Sequence, residues 1–282
     1  MKPDSIIKTK DMLYQHGKSS NRIYIMNIDQ AAENIAINEL EKLAVENHYT
    51  KIIAKVPRNL SPLFESYQFK REAFVPDFYQ SGEDCFFMSK YYNENRIKPE
   101  YPEKIDAVLH LAKSKKIDRS SIQNQFTVKR LRQKHVDDMI TLFTKVFASY
   151  PFPIFDPNYL LSTFDEVFYF GFFDQQKLIA CASCETDFLN GNAEMTDFAV
   201  LPEYRGQKLA VKLLMEMEIY MQKKEIRTLY TIARALSTSM NCTFGKMGYS
   251  YGGTLYNNTQ ISGSIESMNV WYKNLALHTS GY

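Results

Sequence analysis

Between Val200 and Leu209 the chain changes from one periodicity to another in eight residues. Ala193–Val200 reads as a strand, with successive side chains on opposite faces. Leu209, Leu213, Met217 and Met221 then step by four, which marks one face of a helix of about four turns. The join, Leu201-Pro-Glu-Tyr-Arg-Gly-Gln-Lys208, is short enough to force a tight strand–turn–helix unit. A loop that feeds a helix start presents unpaired backbone N–H groups and the positive end of the helix dipole, a ready seat for a pyrophosphate. Gly206 lets the backbone come close to such a group, and Arg205 and Lys208 add charge.

The residues around this unit alternate between strand and helix. Phe126–Arg130 reads as a short strand, Lys134–Phe147 as an amphipathic helix broken by Tyr150-Pro-Phe-Pro153, and Asn158–Phe164 as a second short helix. Val167–Phe173, Lys177–Thr186 and Ala193–Val200 are strand-like runs separated by turns. Thr228–Ala233 reads as a strand, Thr238–Met247 as a helix, and Tyr249–Asn257 and Ser264–Lys273 as closing strands. That order predicts an α/β fold with both faces of the sheet partly covered. Upstream, a strand at Arg22–Ile28, a helix at Ala31–Asn47, a strand at Lys51–Val56, a helix at Leu60–Tyr67 and strands at Arg71–Val75 and Cys85–Lys90 echo the second half of this order. The echo extends to residues: Ala54-Lys-Val…Phe64…Tyr67-Gln-Phe69 against Ala233-Arg-Ala…Phe244…Met247-Gly-Tyr249. Tyr92–Gln125, polar and lysine-rich, reads as a connection bridged by a helix at Glu103–Lys113. The expected division is an amino-terminal module over 1–92, a linker over 93–125 and a second domain over 126–282.

Composition narrows the function class. The 282 residues carry 34 Lys+Arg against 32 Asp+Glu, so the strongly basic footprint of a nucleic-acid binder is missing. No apolar run is long enough to span a bilayer, and Met1-Lys2-Pro3-Asp4 leads into nothing like a signal peptide. Cys181-Ala-Ser-Cys184 lies inside a strand run, so its thiols read as buried, with Cys85 and Cys242 likewise unpaired. The five histidines have no metal-ligand spacing, and no metal is expected. The expectation is a cytoplasmic protein with neither a nucleic-acid nor a membrane partner; a homodimer is left open.

Arg205-Gly-Gln-Lys-Leu-Ala210 resembles the acetyl-CoA loop of the GNAT acetyltransferases, Gln/Arg-x-x-Gly-x-Gly/Ala, with Lys208 in place of the middle glycine. Asn241…Phe244-Gly-Lys-Met-Gly248-Tyr249 is similar to that family's Asn…Tyr-x-x-x-Gly-Phe/Tyr segment. The resemblance covers about 126–274. More narrowly, the whole chain is similar to the β-lysine N-acetyltransferase family of this superfamily, through His16-Gly17, Asn21-Arg-Ile-Tyr24, Phe152-Pro-Ile154, Tyr256-Asn-Asn-Thr259, Ile261-Ser-Gly263 and Glu266-Ser-Met-Asn-Val-Trp-Tyr272. It implies a GNAT fold, a mixed and largely antiparallel sheet flanked by helices, preceded by a half-GNAT-like α/β module. The amino-terminal module has only Asp29-Gln30 where the second has its Arg-Gly loop, so it reads as a coenzyme-free half.

The resemblance implies direct acetyl transfer from acetyl-CoA to a small-molecule amine. Phe198, Ala199 and Val200 would offer backbone to the pantetheine, residues Arg205, Gly206, Gln207, Lys208, Leu209 and Ala210 would hold the pyrophosphate, and Asn241 would hydrogen-bond the pantetheine or a water. A lysine-type ammonium has a pKa of about 10.4, so about one in 10³ is the free nucleophile at pH 7 and a base is needed. Glu194 holds the position of a base in some relatives; an ammonium ligand or a structural carboxylate are the other readings. Strand parity puts Glu194 and Asp197 on opposite faces. Glu185 could hold an ammonium, Tyr150 and Phe152 could wall the acceptor, and Arg234 could meet a carboxylate. Phe244 stands where many relatives have a tyrosine, which leaves Tyr249, among other tyrosines or water, to protonate the leaving thiolate. The implied acceptor is the terminal amine of β-lysine and the implied product an osmolyte. Another amine (polyamine, aminoglycoside or protein lysine) and a non-catalytic acyl-CoA sensor are the alternatives.

Overall fold

The computed structural model of the protein describes residues 4–10, 12–28, 33–116 and 127–276. In chain order its elements are β1 (Ser5–Lys8), β2 (Met12–Gly17), β3 (Arg22–Ile28), α1 (Glu33–Glu46), β4 (Lys51–Pro57), α2 (Ser61–Ser66), β5 (Lys70–Val75), β6 (Cys85–Tyr91) and α3 (Pro102–Lys113). They continue with β7 (Lys129–Arg130), α4 (Val136–Val146), α5 (Pro157–Thr163), β8 (Val167–Asp174), β9 (Lys177–Asp187), β10 (Asn192–Val200), α6 (Leu209–Lys223), β11 (Thr228–Arg234), α7 (Thr238–Lys246), β12 (Ser250–Ile261) and β13 (Ser264–Asn274). The strands form one mixed sheet in the order β1-β2-β3-β4-β6-β5-β12-β13-β11-β10-β9-β8-β7. The fold class is α/β, largely antiparallel, with parallel pairing where β3 meets β4 and where β10 meets β11.

Apart from β7, which has no counterpart, the order reads the same inward from either end. In each half a parallel strand pair is joined by a long helix, β3–α1–β4 and β10–α6–β11, and a short helix then leads into an antiparallel hairpin, β5–β6 and β12–β13. The second strand of each hairpin lies beside the parallel pair, and the first strands, β5 and β12, meet at the centre. The Ala54/Ala233 echo falls on the matched strands β4 and β11. Its aromatic members pack alike, Phe64 on Phe69 at 5.1 Å and 81°, Phe244 on Tyr249 at 5.1 Å and 70°.

The backbone seam between the halves is narrow, although a buried cluster that includes Tyr24, Ile53, Phe87, Tyr230, Leu255 and Val270 spans it. Gly253 pairs with Ala73, and a Cβ on Gly253 would sit 2.2 Å from the Glu72 carbonyl oxygen at a φ of +144°, so this crossing admits only glycine. Side chains reinforce it: Arg96 donates to the carbonyls of Ser20 and Asn257, and Lys51 bridges Glu72 and the Tyr256 carbonyl. Each half keeps its own core. Leu40, Ala44, Ile52, Phe64 and Met88 pack together in one, and Leu213, Met217, Phe143, Phe172 and Ala199 in the other.

Two strands were not expected: β1 and β2, which extend the amino-terminal half of the sheet by pairing onto β3. The expected strand over 126–130 is the two-residue β7, and Phe126 lies outside the described residues, as do Asp29 and Gln30. The helix read as a bridge, α3, packs tightly on α7, where a Cβ on Gly245 would sit 2.1 Å from the Ala112 carbonyl oxygen. Among the described residues no helix is long and apolar enough to cross a membrane. All four cysteines are free and buried.

Candidate active site

β10 and β11 pair over only three positions, Asn192–Glu194 with Thr228–Tyr230. Beyond Glu194 the two strands part, β10 running on to Val200 and β11 to Arg234. The cause is a bulge: the register of β10 with β9 slips between Thr196 and Ala199, and Asp197 takes a left-handed φ of +54°. The parted strands leave a wedge lined by Phe198, Ile232, Ala233, Ser237, Met240 and Phe244. Phe198 stands edge-on to Phe244 with ring centroids 5.7 Å apart, while Ala199 is fully buried on the other side of the strand. A strand edge without a neighbour keeps its backbone N–H and C=O available, the pairing surface an extended amide ligand requires.

The wedge leads to the start of α6. Arg205, Gly206, Gln207 and Lys208 are exposed there, with Arg205 Nε 3.4 Å from the Val200 carbonyl oxygen. Gly206 has a φ of +83° and Lys208 one of +59°, so the lysine adopts the left-handed backbone that the glycine of the family pattern takes freely. No side chain caps α6. Leu209 is buried and anchors the first turn, and Ala210 follows half-buried. The first-turn N–H groups therefore face outward beside two cationic side chains, an arrangement that binds phosphate.

A second cavity, of about 90 Å³, lies where the concave sheet brings the halves together. Part of its lining is acidic. Glu194 and Glu185 are direct cross-strand partners on β10 and β9, a like-charge pairing that costs energy unless a cation stands between. Asp197 joins them, contrary to strand parity, because the bulge turns it into the same cavity as Glu194. Its Oδ1 accepts the Tyr150 hydroxyl at 2.5 Å and its Oδ2 the Ser183 hydroxyl at 2.7 Å. Tyr150 lines both the wedge and the cavity, and Phe152 lines the cavity beside it.

Burial pushes the Glu194 carboxyl up; Lys55 and a hydrogen bond from Tyr230 oppose it, and Asp197 adds to it. Burial and then the charges of Glu194 and Asp197 push Glu185, which faces the cavity solvent, well above the ordinary carboxylate range. Lys55 comes from β4, in the other half, and donates to the Tyr230 hydroxyl at 3.0 Å. The amino-terminal half also contributes Arg22 and Tyr24, from β3, to the lining of the cavity.

Three expected site residues are engaged otherwise than expected. Asn241 is fully buried and donates to the carbonyls of Arg234 (2.9 Å) and Ser237 (2.8 Å) while accepting from Asn269 and Trp271 (both 2.9 Å). Both amide hydrogens and both lone pairs are engaged, so it ties α7 to β11 and β13 and has nothing left for pantetheine. Tyr249 lines neither cavity. Its ring packs under Lys273, 5.6 Å from the ammonium, and burial and Glu218 push its hydroxyl well above the usual tyrosine value, which makes it a poor acid. Arg234 is held by both oxygens of Glu266, at 2.9 and 2.5 Å, and lines the wedge. Sequence reasoning missed Arg22, Tyr24, Lys55 and Tyr230. Two signals were available: the Asn21-Arg-Ile-Tyr24 piece of the resemblance, which contains Arg22 and Tyr24, and the echo, which matches Lys55 to Arg234 on strands that both reach a cavity.

The acetyltransferase (GNAT) family profile matches residues 132–249. The Beta-lysine N(6)-acetyltransferase of Methanococcus maripaludis is 39% identical over 272 residues, which are 96% of this chain and 98% of that protein. The N-acetyltransferase YodP of Bacillus subtilis is 33% identical, covering 92% of this chain and 94% of its own length. The Beta-lysine N(6)-acetyltransferase of Methanosarcina mazei is 29% identical over 84% of this chain and 95% of its own. Parted strands running into an uncapped helix, together with this similarity over nearly the full length, place the chain in the GNAT acetyltransferase family, as an N-acetyltransferase.

Proposed function

We propose that this protein transfers the acetyl group of acetyl-CoA to the terminal amine of β-lysine, giving N6-acetyl-β-lysine. The observation that carries the reading is the two-signed cavity: three carboxylates, Glu185, Glu194 and Asp197, from β9 and β10 of one half, and two cations, Arg22 and Lys55, from β3 and β4 of the other. A polyamine would leave the cations unanswered, whereas a diamino acid answers both signs. The names of two relatives support the same acceptor. The resemblance further implies an osmolyte product made in the cytoplasm, with residues 126–282 as the catalytic unit and 1–92 as its coenzyme-free companion.

In this reading the α6 N-terminus with Arg205 and Lys208 holds the pyrophosphate, and the free edge of β10 at Phe198–Val200 pairs with the pantetheine. The thioester carbonyl then lies where the strands part, beside Glu194. Glu194 takes a proton from the acceptor ammonium directly or through water. The amine lone pair attacks the thioester carbonyl to form the C–N bond, and the tetrahedral intermediate collapses with cleavage of the C–S bond. The second proton lost from the nitrogen passes through water to the departing thiolate, giving the amide and the free thiol. Glu185 holds the second ammonium. Tyr150, clamped on Asp197 between the two cavities, walls the acceptor chain on the coenzyme side.

Thiol release from acetyl-CoA, measured with β-lysine, α-lysine, spermidine and a lysine peptide, tests the reading. Preference for β-lysine, with the product acetylated at N6 by NMR, is the expected result. Preference for spermidine or the peptide overturns the acceptor. Coenzyme binding without release to any amine makes the protein an acyl-CoA sensor.

A further inference from the structure

Arg22 is 3% exposed and Tyr24 6% exposed, and both line the acceptor cavity. Arg22 donates to the Asn258 carbonyl at 3.0 Å and to Gln15 Oε1 at 3.4 Å, but no carboxylate lies within ion-pair distance of it among the described residues. Its Nε has no hydrogen-bond partner there, nor has the Tyr24 hydroxyl. The guanidinium lies over the Tyr24 ring, 5.0 Å from the centroid, so the two groups form one surface. A buried cation without an anion and a buried hydroxyl without an acceptor are both costly, and they stand side by side. Nearby cations are already engaged: Lys51 is paired with Glu72, Arg96 is bound to backbone carbonyls, and Lys55 donates to the Tyr230 hydroxyl and faces the charge of Glu194. Arg22 and Tyr24 therefore remain for a ligand that brings negative charge and at least two acceptor oxygens.

We infer that Arg22 and Tyr24 bind the acceptor's carboxylate, so that the amino-terminal half selects an amino acid over a plain amine. The inference rests on the acceptor reading above and adds the residues that carry its selectivity. The geometry orients the ligand: carboxylate on β3, second ammonium at Glu185, terminal amine at Glu194 where the wedge opens. Lys55, which also lines the cavity, is bound to Tyr230. The anchor reaches the reacting atoms only through the ligand, so losing it raises KM for acceptors with a carboxylate and leaves turnover alone.

The experiment pairs β-lysine with pentane-1,4-diamine, the same molecule without its carboxylate. Wild-type enzyme is expected to prefer β-lysine in kcat/KM. Tyr24→Phe removes only the unpartnered oxygen; it is expected to raise KM for β-lysine about tenfold with kcat little changed, and to leave the diamine unaffected. Arg22→Gln is expected to raise KM for β-lysine by about 10² and to abolish the preference. Because Arg22 also ties β3 to β12, Tyr24→Phe is the deciding variant if Arg22→Gln does not fold. Wild-type turnover of β-lysine combined with equal effects of Tyr24→Phe on both acceptors, or no effect on either, overturns the inference alone. A wild type that ignores β-lysine and acetylates spermidine or a peptide overturns the acceptor reading and the inference with it.

Discussion

The two halves of the sheet start from one plan and diverge at one place. Matched through Ala54 and Ala233, Lys51 stands where Tyr230 does, and their parallel-strand partners, Arg22 and Glu194, occupy equivalent positions. Past that point β3 and β4 stay paired for three more residues, to Ile25 and Ala54, whereas β10 and β11 part at once. Both leading strands carry a bulge close to the same place, at Met26 in β3 and at Asp197–Phe198 in β10. Of these, only Asp197 is left-handed, and β10 is the strand that swings away from its neighbour. A bulge re-aims side chains; with a left-handed residue in it, it also opens the sheet. One half thus has a coenzyme wedge with a carboxylate at its root. The other keeps its ladder closed and presents an arginine from the equivalent position to the same cavity.

The largest expected effect breaks the comparison at its root. Glu194→Gln should lower kcat by about 10²–10⁴ while acetyl-CoA affinity, from titration calorimetry, stays unchanged. A rate within a few-fold of wild type would make Glu194 an ammonium ligand or a bystander. Next comes the polar tie that the amino-terminal half lacks. Asn241→Ala leaves four polar partners without their bond and should cost about 2–4 kcal/mol in denaturant unfolding, with KM for acetyl-CoA held. Ser61→Ala, at the matched position of α2, should cost less than about 1 kcal/mol.

Lys55→Met probes the influence of one half on the other. Below its pKa, Glu194 is protonated and cannot accept a proton, so kcat/KM falls on the acid side. Lys55 favours the ionised carboxylate; removing it raises the pKa further and should move that acid limb to higher pH. An unmoved limb, or one moved to lower pH, contradicts the coupling. The smallest effect belongs to the loop: Lys208→Gly relieves a left-handed lysine and should raise stability by at most about 1 kcal/mol, visible as a small rise in Tm.

Much of this was legible in the residues. The strand–loop–helix at 193–210 announces itself because a twofold period gives way to a step of four across a glycine-bearing turn, and local periodicity is what sequence records best. The βαβ echo was legible for the same reason. Asp197 was placed on the wrong face because parity counts residues, and a bulge adds one without changing the composition of the strand. Asn241 is singled out by the resemblance, and its structural role is not legible in the sequence because its four partners lie on segments that only the fold brings together. Arg22, Tyr24 and Lys55 are ordinary strand residues until the sheet curls and brings them to Glu194, roughly 140–170 positions away in the chain. β1 and β2 went unread because short, mixed-polarity strands at a sheet edge carry little periodic signal.

The central claim is that one acceptor is gripped by both halves at once, and a crystal structure with coenzyme A and β-lysine tests it most directly. The account predicts the terminal amine within hydrogen-bond reach of Glu194 at the root of the wedge, and the carboxylate on Arg22 and the Tyr24 hydroxyl. An acceptor bound by carboxy-terminal residues alone, with Arg22 and Tyr24 untouched, would contradict it.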